Sequence, residues 1–401
     1  MHMSRYELLA PAGDLNRLKT AVDFGADAVF IGGKQYSLRY RASNFTLEDI
    51  QDGATYCHDH GAQLFVTANM IFHDEDLEGF TQYLKDLERI GVDAVIVASV
   101  QAVRLVKSVA PKLEAHLSTQ LSTLNSKAVN FLKRLGADRV VLGRETTLEE
   151  VDQLMKHVDV PIEVFIHGAM CTNFSGRCTL SNHMTLRDAN RGGCAQSCRW
   201  RYEIYDDQKA LVSDPECLFT MSSKDMRTAE ILPELLATGV YSLKIEGRMK
   251  SEYYLACVVS AYRRFIDTIE NGGDIENARA LCNEALLKAE NRESFTGFYE
   301  NSEFGREGYI YGENGRLANQ DFLGIIQSTD GDEVILEVRN HFKVGETLEV
   351  FGPKTNHKTF VLETLINSKD EVVDRVFRPL ENVKIKVPFD VEDFDFVRRA
   401  S

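Results

Sequence analysis

The chain has 401 residues, 44% of them hydrophobic and 27% charged, and carries a formal charge of −15. This is ordinary globular chemistry, long enough for two domains, and its acidity excludes a protein that coats nucleic acid by general neutralisation of phosphates; a local basic site on an acidic body is still compatible with it. No apolar run reaches eighteen residues and no secretory leader is recognisable, so no membrane span is expected and the expected location is the cytoplasm.

From Glu7 onward, short apolar runs alternate with amphipathic stretches, the signature of βα units. Eight strands are expected: Glu7 to Ala10, Ala28 to Gly32, Gln63 to Asn69, Ala94 to Ser99, Glu114 to Thr119, Arg139 to Gly143, Ile162 to Gly168 and Tyr241 to Gly247. The segments between them, such as DLNRLKTAVDFG and TLEEVDQLMKHV, open on Asp, Asn or Thr as helix N-caps, and several close on Gly. Eight such units predict a TIM-barrel-like (β/α)8 domain over residues 4–300, with an open doubly wound sheet as the alternative. In a barrel, chemistry gathers where strands end, and the longest insertion, residues 168–225, follows strand seven. A strand RYEIYD is expected inside it and a helix MRTAEILPELLATG after it. Beyond Gly308 the runs GIIQ, EVILEVR, ETLEVFG, TFVLETLIN and VKIKVPF are short and alternating. They predict a small all-β barrel domain over 308–401, with STDGDE as a hairpin turn.

The chain has eight cysteines, and four fall within the insertion as Cys171, six residues, Cys178, fifteen residues, Cys194, three residues, Cys198. A cytoplasmic chain of this length needs no disulfide framework, so metal or redox chemistry is the first question. Spacing alone leaves structural zinc, an iron–sulfur cluster and unligated thiols open. Cys217 is a possible substitute ligand, whereas Cys57, Cys257 and Cys282 lie in helix-like stretches and read as core residues. Around the four, Arg177, Arg187, Arg191, Arg199 and Arg201 face only Asp188, an excess suited to carboxylates or phosphates; Trp200 either stacks on a base or covers the cluster. Lys244, Glu246 and Arg248 alternate at the last strand, as an ion-paired network, a substrate clamp, or both. Asn69, Gln120 and the Gly143 to Glu145 turn add polar strand ends. HExxH, GxSxG, GxGxxG and Walker motifs are missing, which disfavours common metallopeptidases and nucleotide-dependent enzymes.

The run EVFIHGAMCTNFSGRCTLS, Glu163 to Ser181, resembles the signature of peptidase family U32, as do NRGGCAQSCRWRYEIYD, ELLAPAGDLNRLKTAVDFGADAVFIGG, FTLEDI and SLKIEGRMKSEYYLA. The resemblance spans Glu7 to Tyr299, and the terminal module is similar to that family's C-terminal domain. It implies a TIM-barrel-like catalytic domain in which Cys171, Cys178, Cys194 and Cys198 hold an oxygen-sensitive four-iron four-sulfur cluster, with zinc as the alternative occupant. The pattern is similar to the branch that hydroxylates C5 of the tRNA wobble uridine without dioxygen, drawing the hydroxyl from prephenate. On that reading Lys244, Glu246, Arg248 and His167 are the candidate catalytic residues, and Arg177, Arg187, Arg191, Arg199, Trp200, Gln120 and Asn69 the candidate substrate contacts. The expected partners are the tRNA anticodon region and a shorter paralogue of the same family. The alternatives are a collagenase-like peptidase, which is the family's historical label, and a non-catalytic RNA-binding or assembly partner.

Overall fold

A computed structural model describes residues 5–38, 44–289, 292–300, 308–310, 321–355 and 357–400. The chain divides into two compact units, Met1–Ala285 with Arg292–Arg316 and Leu286–Asn291 with Leu317–Ser401.

The first unit carries β1 (Glu7–Pro11), β2 (Ala28–Gly32), β3 (Gln63–Ala68), β4 (Ala94–Val97), β5 (Glu114–Leu117), β6 (Arg139–Val141), β7 (Ile162–Ala169), β8 (Asp225–Arg227), β9 (Ser242–Ile245) and a short β10 (Ser294–Phe295). β1 to β7 run parallel in order, and β9 pairs with both β7 and β1, closing an eight-stranded barrel. The helices α1 (Leu15–Asp23), α2 (Leu47–Asp59), α3 (Phe80–Ile90), α4 (Val100–Val109), α5 (Ser126–Arg134) and α6 (Leu148–Met155) follow the first six strands. Their starts obey local chemistry: Asp14, Thr46, Ser99, Asn125 and Thr147 each cap a helix through a side-chain oxygen, and Thr46 with Asp49 and Thr147 with Glu150 complete capping boxes. The insertion holds α7 (Leu180–Thr185); α8 (Leu232–Ala237) precedes β9, and α9 (Glu252–Glu270) and α10 (Ile275–Ala289) follow it.

The eight expected barrel strands are present, five of them one or two residues shorter at the C-terminal end because the chain turns early into the mouth loops. Two expectations in the insertion are corrected. RYEIYD forms no strand, only isolated bridges from Tyr202 to Phe219 and from Tyr205 to Leu211. The segment expected to begin a helix at Met226 begins instead as β8, which pairs antiparallel with the last three residues of β7.

The barrel interior is layered. At its N-terminal end Glu7, Arg139, Glu163 and Ser242 form a buried polar plug. Arg139 makes a bidentate pair with Glu7 at 2.5 and 2.9 Å and reaches Glu163 at 3.2 Å, and Ser242 donates to Glu7 at 2.6 Å. Above it Leu9, Phe30, Phe65 and Ile96 pack as an apolar layer. The space above that layer is open.

Apart from the end of α10, the second unit is built of β-strands among its described residues: β11 (Phe322–Asp330), β12 (Glu333–Val338), β13 (Phe342–Lys343), β14 (Thr347–Phe351), β15 (Lys358–Val361), β16 (Leu365–Ile366), β17 (Arg375–Val376), β18 (Asn382–Lys386) and β19 (Phe396–Arg399). Seven of these strands form an antiparallel half-barrel in the order β15-β14-β19-β11-β12-β18-β16 around a Leu, Ile and Val core. β11 and β12 meet at the expected hairpin, where Asp330 faces Glu333 across Gly331, whose φ is +63°.

Candidate active site at the barrel mouth

The C-terminal ends of the strands surround a cavity of about 390 Å³, within the roughly 300–1,000 Å³ usual for small-molecule clefts. Phe30, Ile96, Val141 and Phe165 line it, together with Asn69, Ser118, Thr119 and Gln120; Cys171, Cys194 and Cys198 form part of the wall. Among the described residues six cations, Arg144, Arg187, Arg199, Lys244, Arg248 and Lys250, line the same space against one carboxylate, Glu246. In a chain of net charge −15, that is a local reversal of sign.

The cations are not equivalent. Lys244 bonds Glu163 at 2.7 Å and lies 4.3 Å from the centre of the Phe30 ring, so it ties the mouth to the polar plug. Burial raises the Glu163 carboxyl, but Lys244, Arg139 and His116 together outweigh it and hold the group below its ordinary range. Arg248 is buried and donates to Ser37 Oγ at 3.0 Å, to Thr67 Oγ1 at 3.3 Å and to the Leu38 carbonyl; it pins the loop after β2 to β3. β9 ends at Ile245, so Glu246 and Arg248 reach the cavity from the following loop rather than from a strand face. Arg144 stacks 3.6 Å over the Phe165 ring. Burial lowers Lys250 from the usual lysine range against the pull of Asp225 at 3.7 Å, with Arg292 and Arg199 adding to the lowering.

The cysteine segment is fastened to the barrel at several points. The Ser175 backbone and hydroxyl both donate to Glu145 Oε1, at 2.7 and 3.0 Å, and Ser122 donates to the Ser175 carbonyl. Gly176 has φ +71°, and a Cβ there would overlap the Gln120 carbonyl, so only glycine allows this approach to the turn after β5. Asn190 donates to the Cys178 carbonyl at 2.8 Å and Asn173 to Cys178 Sγ at 3.4 Å. The four cysteines share one neighbourhood. Burial raises the Cys198 thiol, Arg199 opposes it, and Cys171, Cys194 and Cys178 each add a smaller push upward. Among the described residues no group of three or more His, Cys, Asp or Glu side chains is arranged to hold a metal ion. Cys217 is exposed and is not among the groups acting on Cys198, while Cys57, Cys257 and Cys282 are buried.

A sequence profile described as peptidase family U32 matches residues 13–307, and one described as the family's C-terminal domain matches residues 318–398. The chain belongs to peptidase family U32. Within it, the chain is 44% identical over 402 residues to tRNA hydroxylation protein P1 of Bacillus subtilis, covering 98% of this chain and 94% of that one. It is 32% identical to tRNA hydroxylation protein P of Escherichia coli, with 97% and 95% covered. It is 36% identical to the 23S rRNA 5-hydroxycytidine C2501 synthase of E. coli over 86% of this chain and 51% of that one.

Of the residues singled out in this U32 sequence, the structure brings Asn69, Gln120, Arg187, Arg199, Lys244, Glu246, Arg248 and three of the four cysteines to one cavity. It does not bring the fourth cysteine, Cys178, or four other candidates. His167 is buried on the helix side of β7, with Nδ1 3.3 Å from Tyr262 Oη on α9, and burial lowers it to about 3. The cause is a register shift between Phe165 and His167, which pairs His167 with outward-facing Ile245 instead of continuing the inward face of Glu163 and Phe165. Arg191 is a strut to Asp76 at 2.5 Å and to the Ile71 carbonyl at 2.9 Å. Arg177 donates to Ser122 at 3.2 Å, outside the cavity. Trp200 is 46% exposed and lines no part of it. The structure adds Thr119, Arg144 and Lys250 to the cavity; Arg144 sits in the polar turn after β6, and Lys250 lies two residues past Arg248 in the same motif.

Proposed function

We propose that this enzyme hydroxylates C5 of the wobble uridine of tRNA, with a four-iron four-sulfur cluster on Cys171, Cys178, Cys194 and Cys198 and prephenate as the source of the hydroxyl oxygen. The observation that carries the reading is the cation-lined cavity with the cysteine cluster in its wall. The relatives whose names specify RNA hydroxylation support it.

The donor set fits the group. A cube takes one thiolate per iron and so needs sulfurs distributed around an object rather than closed on a point. Cys171, Cys178 and Cys194 each act on Cys198, and the loop that carries them is held by Gly176 and Asn190, which supports that reading. When bound, the cluster supplies redox and Lewis-acid chemistry at the cavity wall.

The chain's own residues supply the rest. Prephenate carries two carboxylates, and we assign them to Arg144, Arg187 and Arg199, with Lys250 shared with Asp225, since Lys244 and Arg248 serve Glu163 and the loop after β2. Phe30, Ile96, Val141 and Phe165 exclude water from the base and the donor's ring. We assign Glu246, the one carboxylate among the described cavity residues, to receive the proton that C5 loses as its C–O bond forms; the C–O bond of prephenate breaks and its carbon skeleton keeps the electron pair, so prephenate is the two-electron oxidant. The test is isotopic. Enzyme assayed without dioxygen on prephenate bearing ¹⁸O in its hydroxyl is expected to give ¹⁸O-labelled 5-hydroxyuridine; unlabelled product in that assay contradicts prephenate as donor.

A further inference from the structure

Three carboxamides line the cavity: Asn69, Gln120 and Gln196. Asn69 is engaged at both ends, accepting from Leu38 N at 3.3 Å and donating to Ser118 Oγ at 3.5 Å. Gln120 differs. Its Oε1 is buried with no hydrogen-bond partner among the described residues. The neighbouring Thr119 Oγ1 is buried and has no partner among the described residues either. Buried polar atoms left unpaired are costly, so such atoms in a cavity wall mark where a ligand brings the missing partner.

The backbone beneath these two side chains is held firmly. Ser118 Oγ accepts from Gln120 N at 3.3 Å, Leu121 N bonds the Ser118 carbonyl at 3.1 Å, and Gly176 of the cysteine loop packs on the Gln120 carbonyl. A polar edge presented on a clamped turn, against the loop that carries the cysteines, is a preorganised recognition element.

We infer that the Thr119–Gln120 turn reads the Watson–Crick edge of the RNA base and selects uracil over cytosine. This inference rests on the hydroxylation reading above. Uracil offers O4 as acceptor, N3–H as donor and O2 as acceptor. Gln120 Oε1 accepts from N3–H, its amide donates to O4, and the Thr119 hydroxyl donates to O2. Cytosine presents a donor and an acceptor reversed at the first two positions. An enzyme working on one base must take it out of its stack into such a pocket.

The experiment compares wild type, Gln120→Glu and Thr119→Val on two anticodon stem-loops that differ only in uridine or cytidine at the wobble position, reading both binding and hydroxylated product. Glutamate can only accept, so with either base it keeps one bond and meets one repulsion: N3–H against O4 in uracil, N4–H against N3 in cytosine. The uridine-to-cytidine preference is expected to fall by about 10- to 100-fold in Gln120→Glu, a range typical of one bidentate base contact. In Thr119→Val, uridine binding is expected to weaken with a smaller change in preference. Melting temperature and iron content provide readouts that a folding defect would move. If wild type hydroxylates uridine and Gln120→Glu keeps the same preference with full activity, the inference fails while the hydroxylation reading stands. If wild type makes no product but binds the uridine stem-loop with a preference that Gln120→Glu abolishes, the hydroxylation reading fails and base reading stands. If neither stem-loop is preferred by wild type, the inference is overturned.

Discussion

His167 shows how one residue's role is set by backbone register. It stands at the head of the cysteine motif, in a strand whose Glu163 and Phe165 point inward, and alternation alone would carry it into the cavity. The shift before it turns it to the helix side, where it is buried and neutral. Such a histidine opposes folding as pH falls: between its unfolded value near about 6.5 and its folded value of about 3 the unfolded state binds the extra proton, so stability is lost through that window at up to about 1.4 kcal/mol per pH unit. His116, buried beside Arg139 and also held below its ordinary value by burial first, acts in the same direction. His167→Phe is therefore expected to keep hydroxylation while flattening part of the loss of stability between pH 6 and 4, as measured by urea titration at several pH values. Loss of product with unchanged folding would return His167 to the site. Arg191 has a similar lesson, since its partner Asp76 lies 115 residues away and local spacing gives no sign of it.

At the scale of elements, the barrel strands were legible because each is a buried apolar run bounded by a cap or a glycine. β8 was not. Met226 to Glu230 reads as a good helix start, and only pairing with the far end of β7 makes Asp225–Arg227 extended. β19 was hidden in the same way, because Arg398 inside it reads as surface until Glu349 of β14 covers it. The cysteine segment was legible as a site from its composition, but its attachment to the barrel depends on single glycines. Gly176→Ala adds a Cβ where the Gln120 carbonyl lies and forces alanine into positive φ, at about 1–3 kcal/mol for the backbone alone. The expected outcome is a displaced loop: iron per chain and 5-hydroxyuridine both fall, while the barrel's circular dichroism holds. Full iron and full product in that variant would mean the clamp is dispensable.

For the whole molecule, two compact units with separate cores imply more than one unfolding transition. In the second unit, Glu349 is buried between Arg398, at 2.7 and 3.0 Å, His357 at 2.5 Å and Lys288 at 3.4 Å. Burial works to raise its carboxyl, but the bonds to His357 and Arg398 outweigh it and hold the group well below its usual range. Arg398→Leu leaves that charge without its bidentate partner, and removing one member of a buried pair costs about 3–5 kcal/mol. Calorimetry is expected to show one transition lowered and another unchanged; a uniform fall of all transitions would contradict separate cores.

The central claim is that four cysteines, and not a fifth, serve the chemistry at the barrel mouth. The direct measurement is mass spectrometry of tRNA nucleosides, with iron analysis of anaerobically purified protein, for a strain carrying Cys171→Ala, Cys178→Ala, Cys194→Ala, Cys198→Ala or Cys217→Ala in place of the native gene. The account predicts loss of 5-hydroxyuridine and of iron in the first four and retention of both in Cys217→Ala. Wild-type 5-hydroxyuridine in any of the first four would contradict it.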